Sequence, residues 1–366
     1  MGWCEHWRSG LRRGASITTL ATCSILLVAA CAKEPIEPDR GPWPALTGVR
    51  DLRASYRTAV CSRLPADAPP CDEVLFRASP EVPDGLTAPV ADLARRYRIV
   101  FVPGFLNECL EGLARPFSDV EEALRVGGFR VDYLQVSGRG TSIANADRLA
   151  RQLGALLPVD PRPVVVFAYS KGLLDVLELV VRHPEVTRPI AAVVGVAGAA
   201  YGSPLADTVD AIYRRWFASL PLAGCERGTG EEIEDLQRHV RVGWWRRHGS
   251  AITVPLFSIV AAPNPDRVSP VVRAAYLTLS QTDPRNDGNL VWEDQIAPGG
   301  NLLGYVNADH LAIAVPVAHA LPVMAPLFRD GVPRTALIGG AVEVIDRVLR
   351  TSATASRLGL PGPPRP

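Results

Sequence analysis

The segment from Val164 to Val181 constrains the fold more than any other. Val164, Val165, Val166, Phe167 and Ala168 form an apolar, largely β-branched run with no polar alternation. A strand with one face in water alternates, so a run without alternation belongs to a strand buried on both faces. It continues through Tyr169, Ser170, Lys171 and Gly172 into Leu173, Leu174, Leu177 and Val180, which fall at helical spacing. Strand therefore passes into helix with almost no loop, as a mainly parallel sheet covered on both sides requires.

The rest of the chain repeats the theme. Ile99 to Val102, Phe129 to Val136, Ile190 to Val196 and Val254 to Val260 read as strands. Val120 to Val126, Ala144 to Leu156, Gly172 to Arg182 and Val271 to Ser280 read as helices between them. The expected class is α/β, with the sheet-bearing body over residues 96–350. Hydrophobic residues at 47% against 21% charged leave ample material for such a core. A formal net charge of +1 gives no electrostatic case for nucleic acid as a partner.

Ala168-Tyr169-Ser170-Lys171-Gly172 has the pattern small-x-Ser-x-small. A sharp strand-to-helix turn strains the serine, and small residues two positions away on each side avoid clashes. The hydroxyl then stands above the sheet, near amide groups of the helix N-terminus. In this the chain resembles the α/β-hydrolases, with bacterial lipases and esterases the nearest type. The resemblance covers about Arg96 to Pro326, and Ala168 replaces the usual first glycine. It implies Ser170 as nucleophile. It also implies an oxyanion hole built from the backbone N–H of Lys171 and that of Phe105 or Leu106, in Val102-Pro103-Gly104-Phe105-Leu106-Asn107. Pro103 stands where the family usually has histidine.

A serine nucleophile needs a base. His310, in Asn307-Ala308-Asp309-His310-Leu311, follows the strand-like Leu302 to Val306 and resembles the histidine loop of bacterial lipases. His183 reads as a helix C-terminal cap. His239 and His248 lie in an arginine-rich segment, and His319 reads as core. Asn286-Asp287-Gly288 resembles the lipase acid loop and makes Asp287 the expected acid, with Asp266 the alternative. Asp309 is poorly placed to orient its neighbour. Residues 201–250, with Trp216, Phe217, Trp244 and Trp245, read as a helical cap insertion that opens with the lipase-like Gly202-Ser203-Pro204. Lys171 and Asp175, four apart, read as a local ion pair.

The N-terminus carries Arg8, Arg12 and Arg13, then an apolar run from Ile17 to Ala30, then Cys31. This has the form of a lipoprotein signal peptide over 1–30 with lipid on Cys31. A Pro-rich tether (31–48), an N-terminal extension (49–95) and a flexible tail (351–366) complete the expected layout. Export suits disulfides among Cys61, Cys71, Cys109 and Cys225. Cys61–Cys71 is expected, and Cys109–Cys225 would pin the cap to the oxyanion-side loop. Neither a metal nor a cofactor is expected.

The expected function is a membrane-anchored, exported serine hydrolase cleaving small-molecule or lipid esters through an acyl-enzyme. The competing readings are a catalytically inactive lipoprotein of the same fold with a binding or envelope role, and an acyltransferase or thioesterase on the same residues.

Overall fold

The computed structural model describes residues 47–86, 92–109, 114–221 and 224–357. The expected signal peptide, Cys31 and nearly all of the tether lie outside the described residues, as does the chain beyond 357. Among the described residues, no helix is long and apolar enough to cross a membrane.

The strands are β1 (Arg50–Asp51), β2 (Leu75–Phe76), β3 (Arg98–Val102), β4 (Arg130–Tyr133), β5 (Val164–Tyr169), β6 (Ile190–Val196), β7 (Leu256–Ala261) and β8 (Asn301–Val306). They form one sheet in the order β1-β8-β7-β6-β5-β3-β4. Pairing along that path is parallel, and β2 lies antiparallel on β8. The longer helices are α1 (Arg53–Cys61), α2 (Ser118–Val126), α3 (Ser142–Leu156), α4 (Gly172–Arg182), α5 (Pro204–Trp216), α6 (Arg238–His248), α7 (Arg273–Leu279) and α8 (Arg334–Arg357).

Alternate residues of the central strands feed opposite layers. Ile99, Phe101, Val165 and Phe167 pack with Tyr56 of α1, Val120 of α2 and Leu337 and Ile345 of α8. Val100, Val102, Val164 and Val166 pack with Leu149 and Leu153 of α3, Leu177 of α4 and Trp244 of α6. This is why β5 shows no polar alternation. Truncating Phe167 to alanine removes about 3–5 kcal/mol of packing.

The local starts are legible. Thr141 caps α3, its side chain accepting the Ala144 N–H. Ser203 caps α5, with Pro204 in the first turn. The Ser203 cap starts the first helix of the 201–250 segment.

Three expectations need revision. The 49–95 stretch is woven into the sheet: β1 and β2 both pair with β8, and Tyr56 donates to Leu337 O of α8 at 3.1 Å. Two-residue strands carry no periodicity, so sequence could not show them. The C-terminal helix α8 continues through Arg357, past Ser352 where fraying was expected, because Gly and Pro begin only at Gly359. His319 is exposed at the end of a four-residue helix, Val317–Ala320, rather than in the core.

Candidate active site

The chain lays β4 on one side of β3 and β5 on the other, so the strand order reverses there. Such a reversal opens a crevice at the carboxyl ends of the strands. The loop after β3 and the turn after β5 meet in that crevice.

Ser170 has φ +53°, in the left-handed region that serine seldom adopts. Holding it there costs roughly 1–3 kcal/mol. The surroundings enforce it: Ser170 N–H donates to Val196 O at 3.2 Å, and Ala199 N–H donates to Ser170 O at 3.1 Å. A Cβ on residue 172 would lie 2.3 Å from Pro103 O, and one on residue 104 would lie 2.9 Å from Ser170 Cβ. Gly172 of the pattern and Gly104 of the β3 loop are thus where the loop and the serine turn touch.

Ser170, His310 and Asp287 form one hydrogen-bonded line. His310 Nε2 lies 2.9 Å from Ser170 Oγ, and His310 Nδ1 lies 2.7 Å from Asp287 Oδ2. A carboxylate only accepts, so Nδ1 carries the proton and Nε2 offers its lone pair to the serine hydroxyl. Asp287 is fully buried, and its Oδ1 accepts the N–H groups of Asn289 (2.8 Å) and Leu290 (2.7 Å). His310 N–H donates to Asp287 O at 2.9 Å, which locks the two loops together.

The alternatives fall elsewhere. Asp266 is exposed in a short 3-10 turn. Asp309 is buried and accepts from the N–H groups of Ser269, Leu311 and Ala312, a loop-forming role. Burial raises its pKa from the ordinary value. His183 caps α4 and meets Asp147 at 2.7 Å. His239 is exposed, and the His248 ring packs 5.3 Å from that of Trp244.

Tyr169 is a site residue that sequence reasoning missed. Its buried hydroxyl donates to His310 O at 2.8 Å, and its ring centroid lies 5.2 Å from that of the imidazole. Burial holds its phenol well above the ordinary pKa, so it remains a donor. A variable position inside a turn motif gives no sequence signal for such a contact.

The expected amides divide. Leu106 N–H donates to Gly138 O at 3.0 Å, so Leu106 is not free to serve an anion. Its φ of +57° turns the loop back toward Gly138. Among the described residues, neither Phe105 nor Lys171 donates its backbone N–H to another group. The Lys171 side chain is buried on Asp175, with Nζ to Oδ1 at 2.7 Å.

Both disulfides form: Cys61–Cys71 with Cα atoms 5.5 Å apart, and Cys109–Cys225 with Cα atoms 4.7 Å apart. The second ties the Phe105 loop to the cap. Buried Arg139 works beside it, donating to the carbonyls of Phe217 (3.0 Å), Ala218 (3.0 Å) and Leu220 (2.9 Å). Glu108, Cys109 and Cys225 cluster at metal-ligand spacing, but disulfide sulfurs are not thiolate ligands. An open groove of about 990 Å³ lies beside Asp207, Arg238, Arg246 and Asp294, and none of Ser170, His310 or Asp287 lines it.

No protein-family model matches the sequence, and no curated protein matches it significantly. Solved structures do. A carboxyl esterase of metagenomic origin is 30% identical, with a TM-score of 0.75, over 88% of this chain and 98% of its own. The mature lipase BlEst2 of Bacillus licheniformis shares the fold at 20% identity and a TM-score of 0.51, over 67% of this chain and 95% of its own. This chain is a hydrolase and belongs to the α/β-hydrolase superfamily.

Proposed function

We propose that the protein hydrolyses carboxylic esters of small molecules or lipids through an acyl-enzyme on Ser170. The observation that carries the reading is the buried Ser170–His310–Asp287 line, ending on a serine held at φ +53°. In this reading Ser170 Oγ attacks the ester carbonyl as its proton passes to His310 Nε2. The Asp287 carboxylate holds Nδ1–H and stabilises the imidazolium. The carbonyl oxygen, now an anion, is met by the N–H groups of Phe105 and Lys171. His310 returns its proton to the departing alkoxide. A water activated by His310 then releases the acid and regenerates Ser170. The carboxyl esterase at 30% identity supports ester chemistry.

The test is Ser170→Ala with a fluorophosphonate probe and a chain-length series of nitrophenyl esters. Loss of labelling and a fall in kcat of roughly a millionfold are expected, with Tm retained. Activity within about tenfold of wild type would overturn the assignment. The chain-length series defines the acyl preference.

The same reading extends to location. The basic segment, the apolar run and Cys31 support export and lipid anchoring, with ester substrates met at a membrane surface. Mass spectrometry of the mature N-terminus tests this, since an unmodified terminus away from Cys31 would refute it.

A further inference from the structure

A chain of hydrogen bonds runs from the Phe105 loop to the Lys171 turn. Leu106 N–H donates to Gly138 O at 3.0 Å, and Gly138 N–H donates back to Glu108 Oε2 at 2.5 Å. One residue, Gly138, thus exchanges two bonds with the loop. A Cβ on residue 138 would lie 2.5 Å from Glu108 Oε2 and 2.7 Å from Leu106 Cα, so only glycine allows the contact. At the preceding residue, Ser137, Asn145 takes over. Ser137 N–H donates to Asn145 Oδ1, and Asn145 Nδ2 donates to Ser137 O and to Asp175 Oδ2, each at 2.9 Å. Asp175 Oδ1 accepts from Lys171 Nζ at 2.7 Å.

The chemistry of each member is dictated by its partners. Asn145 is fully buried and must offer one acceptor and two donors in a plane, which an amide does. An aspartate there would face the Asp175 carboxylate. The Lys171–Asp175 pair is also buried, and burying an ion pair is a poor route to stability. Left-handed backbone sits at both ends of the path, at Leu106 (φ +57°) and Ser170 (φ +53°), and such strain persists only where surroundings over-determine it.

We propose that Glu108 and Asn145 are positioning residues that hold the Phe105 and Lys171 amides at a fixed separation. The proposal rests on the reading of Ser170 as nucleophile and of those amides as its oxyanion donors. Both act through other residues. Glu108 fixes Gly138, which fixes Leu106 and with it the Phe105 peptide. Asn145 couples the same segment to Asp175 and Lys171. The transition state gains from both amides only when they converge on one oxygen, so the effect falls on kcat rather than on KM.

The experiment compares Glu108→Ala, Glu108→Gln and Asn145→Ala. Each is measured as kcat per site titrated with a fluorophosphonate, which discounts unfolded protein. A trifluoromethyl ketone, whose adduct with Ser170 bears an oxyanion, reports on the amides directly. Glu108→Ala should lower kcat about ten- to hundredfold with KM within about twofold, and ketone affinity should fall with kcat/KM. Glu108→Gln keeps an oxygen for Gly138 N–H and should recover to within about threefold of wild type. Asn145→Ala should lower kcat per titrated site and ketone affinity together, whatever its Tm. Wild-type kcat in Glu108→Ala, or a glutamine variant no better than alanine, overturns the proposal. Wild type that is not labelled on Ser170 overturns the nucleophile assignment, and this proposal with it. Labelled wild type with an unaffected Glu108→Ala overturns this proposal alone.

Discussion

The floor of the candidate site and the 201–250 segment beside it are held by different mixtures of the same forces. On the floor, Ser170 follows a strand paired along its whole length with β6 and packed on both faces by apolar side chains. Apolar burial is non-directional, so its loss is graded with the area removed. The 201–250 segment buries Trp244 in the sheet core and Ile233 and Leu236 against Leu174, and adds to these a set of polar pegs. Arg139 takes the carbonyls of Phe217, Ala218 and Leu220, and Ser142 N–H donates to Asp235 at 2.5 Å. Fully buried Glu232 accepts from Gly230 N–H and the Tyr213 hydroxyl. Trp244 and Trp245 donate their ring N–H groups to Glu178 and Ala200 O. A peg that loses one partner leaves a buried group unsatisfied, so its failure is abrupt. Losses of apolar packing are therefore graded, whereas the loss of a peg such as Arg139 turns on a single residue.

The largest expected effect breaks the floor's chemistry without its packing. Asp287→Asn should cut kcat about 10⁴-fold by favouring the wrong histidine tautomer, while exposed Asp266→Asn should stay within about twofold. Steady-state kinetics on a nitrophenyl ester decide it. Similar losses in both variants would dissolve the distinction between the two loops.

The next test breaks the cap. Replacing Cys109 and Cys225 together by serine should cost about 2–5 kcal/mol in denaturant unfolding. Early proteolytic cuts should fall within 201–250 rather than in the body. Cuts spread evenly over the chain would mean that cap and floor share one cooperative unit.

Arg139→Leu sharpens the comparison further. It keeps apolar bulk but strands the three carbonyls, at about 1–3 kcal/mol. A conservative Val166→Ile on the floor should cost less, and the reverse ranking would refute the contrast.

The last test is a pH dependence where the two regions meet. Burial pushes the Asp294 carboxyl up to about 7, against the opposing pull of Arg238 from the cap. The folded state then holds this proton more tightly than the unfolded chain. Its stabilising contribution is full below about pH 4, is lost as pH rises through 7, and stays constant above that. Tm should decline across this window, and Asp294→Asn should flatten the decline. An unchanged slope would place the titration elsewhere.

The elements that sequence made legible share a property: their signal is local. The apolar run of β5, the small-x-Ser-x-small turn, the Asn-Asp-Gly turn of Asp287 and the loop of His310 each declare themselves within a few residues. What it hid is held by distant partners. Leu106 looked equal to Phe105 as an amide donor until Gly138, far along the chain, was seen to occupy it. Asn145 and Glu108 are ordinary polar residues in sequence, and only the packing of α3 against α4 makes them a bridge. β1 and β2 are too short to show a period, and they exist because the edge of β8 is available. His319 reads as apolar because of its neighbours, yet its short helix turns it outward.

The placement of the two disulfides bears on the order in which the molecule is made. Their sequence separations are 10 and 116, and the first closes before the second begins. Where the chain meets an oxidant as it emerges, Cys61 and Cys71 are presented together and pair while Cys109 is still to come. Among the described cysteines, Cys109 then has no earlier thiol left to take and must wait for Cys225. In that interval β4, β5, the Ser170 turn and β6 are all produced. The long bridge can therefore close only after β3 to β6 have been made, with β7 and β8 still to follow. It is the later bond of the two, and the nested alternative, Cys61 with Cys225, is disfavoured by timing.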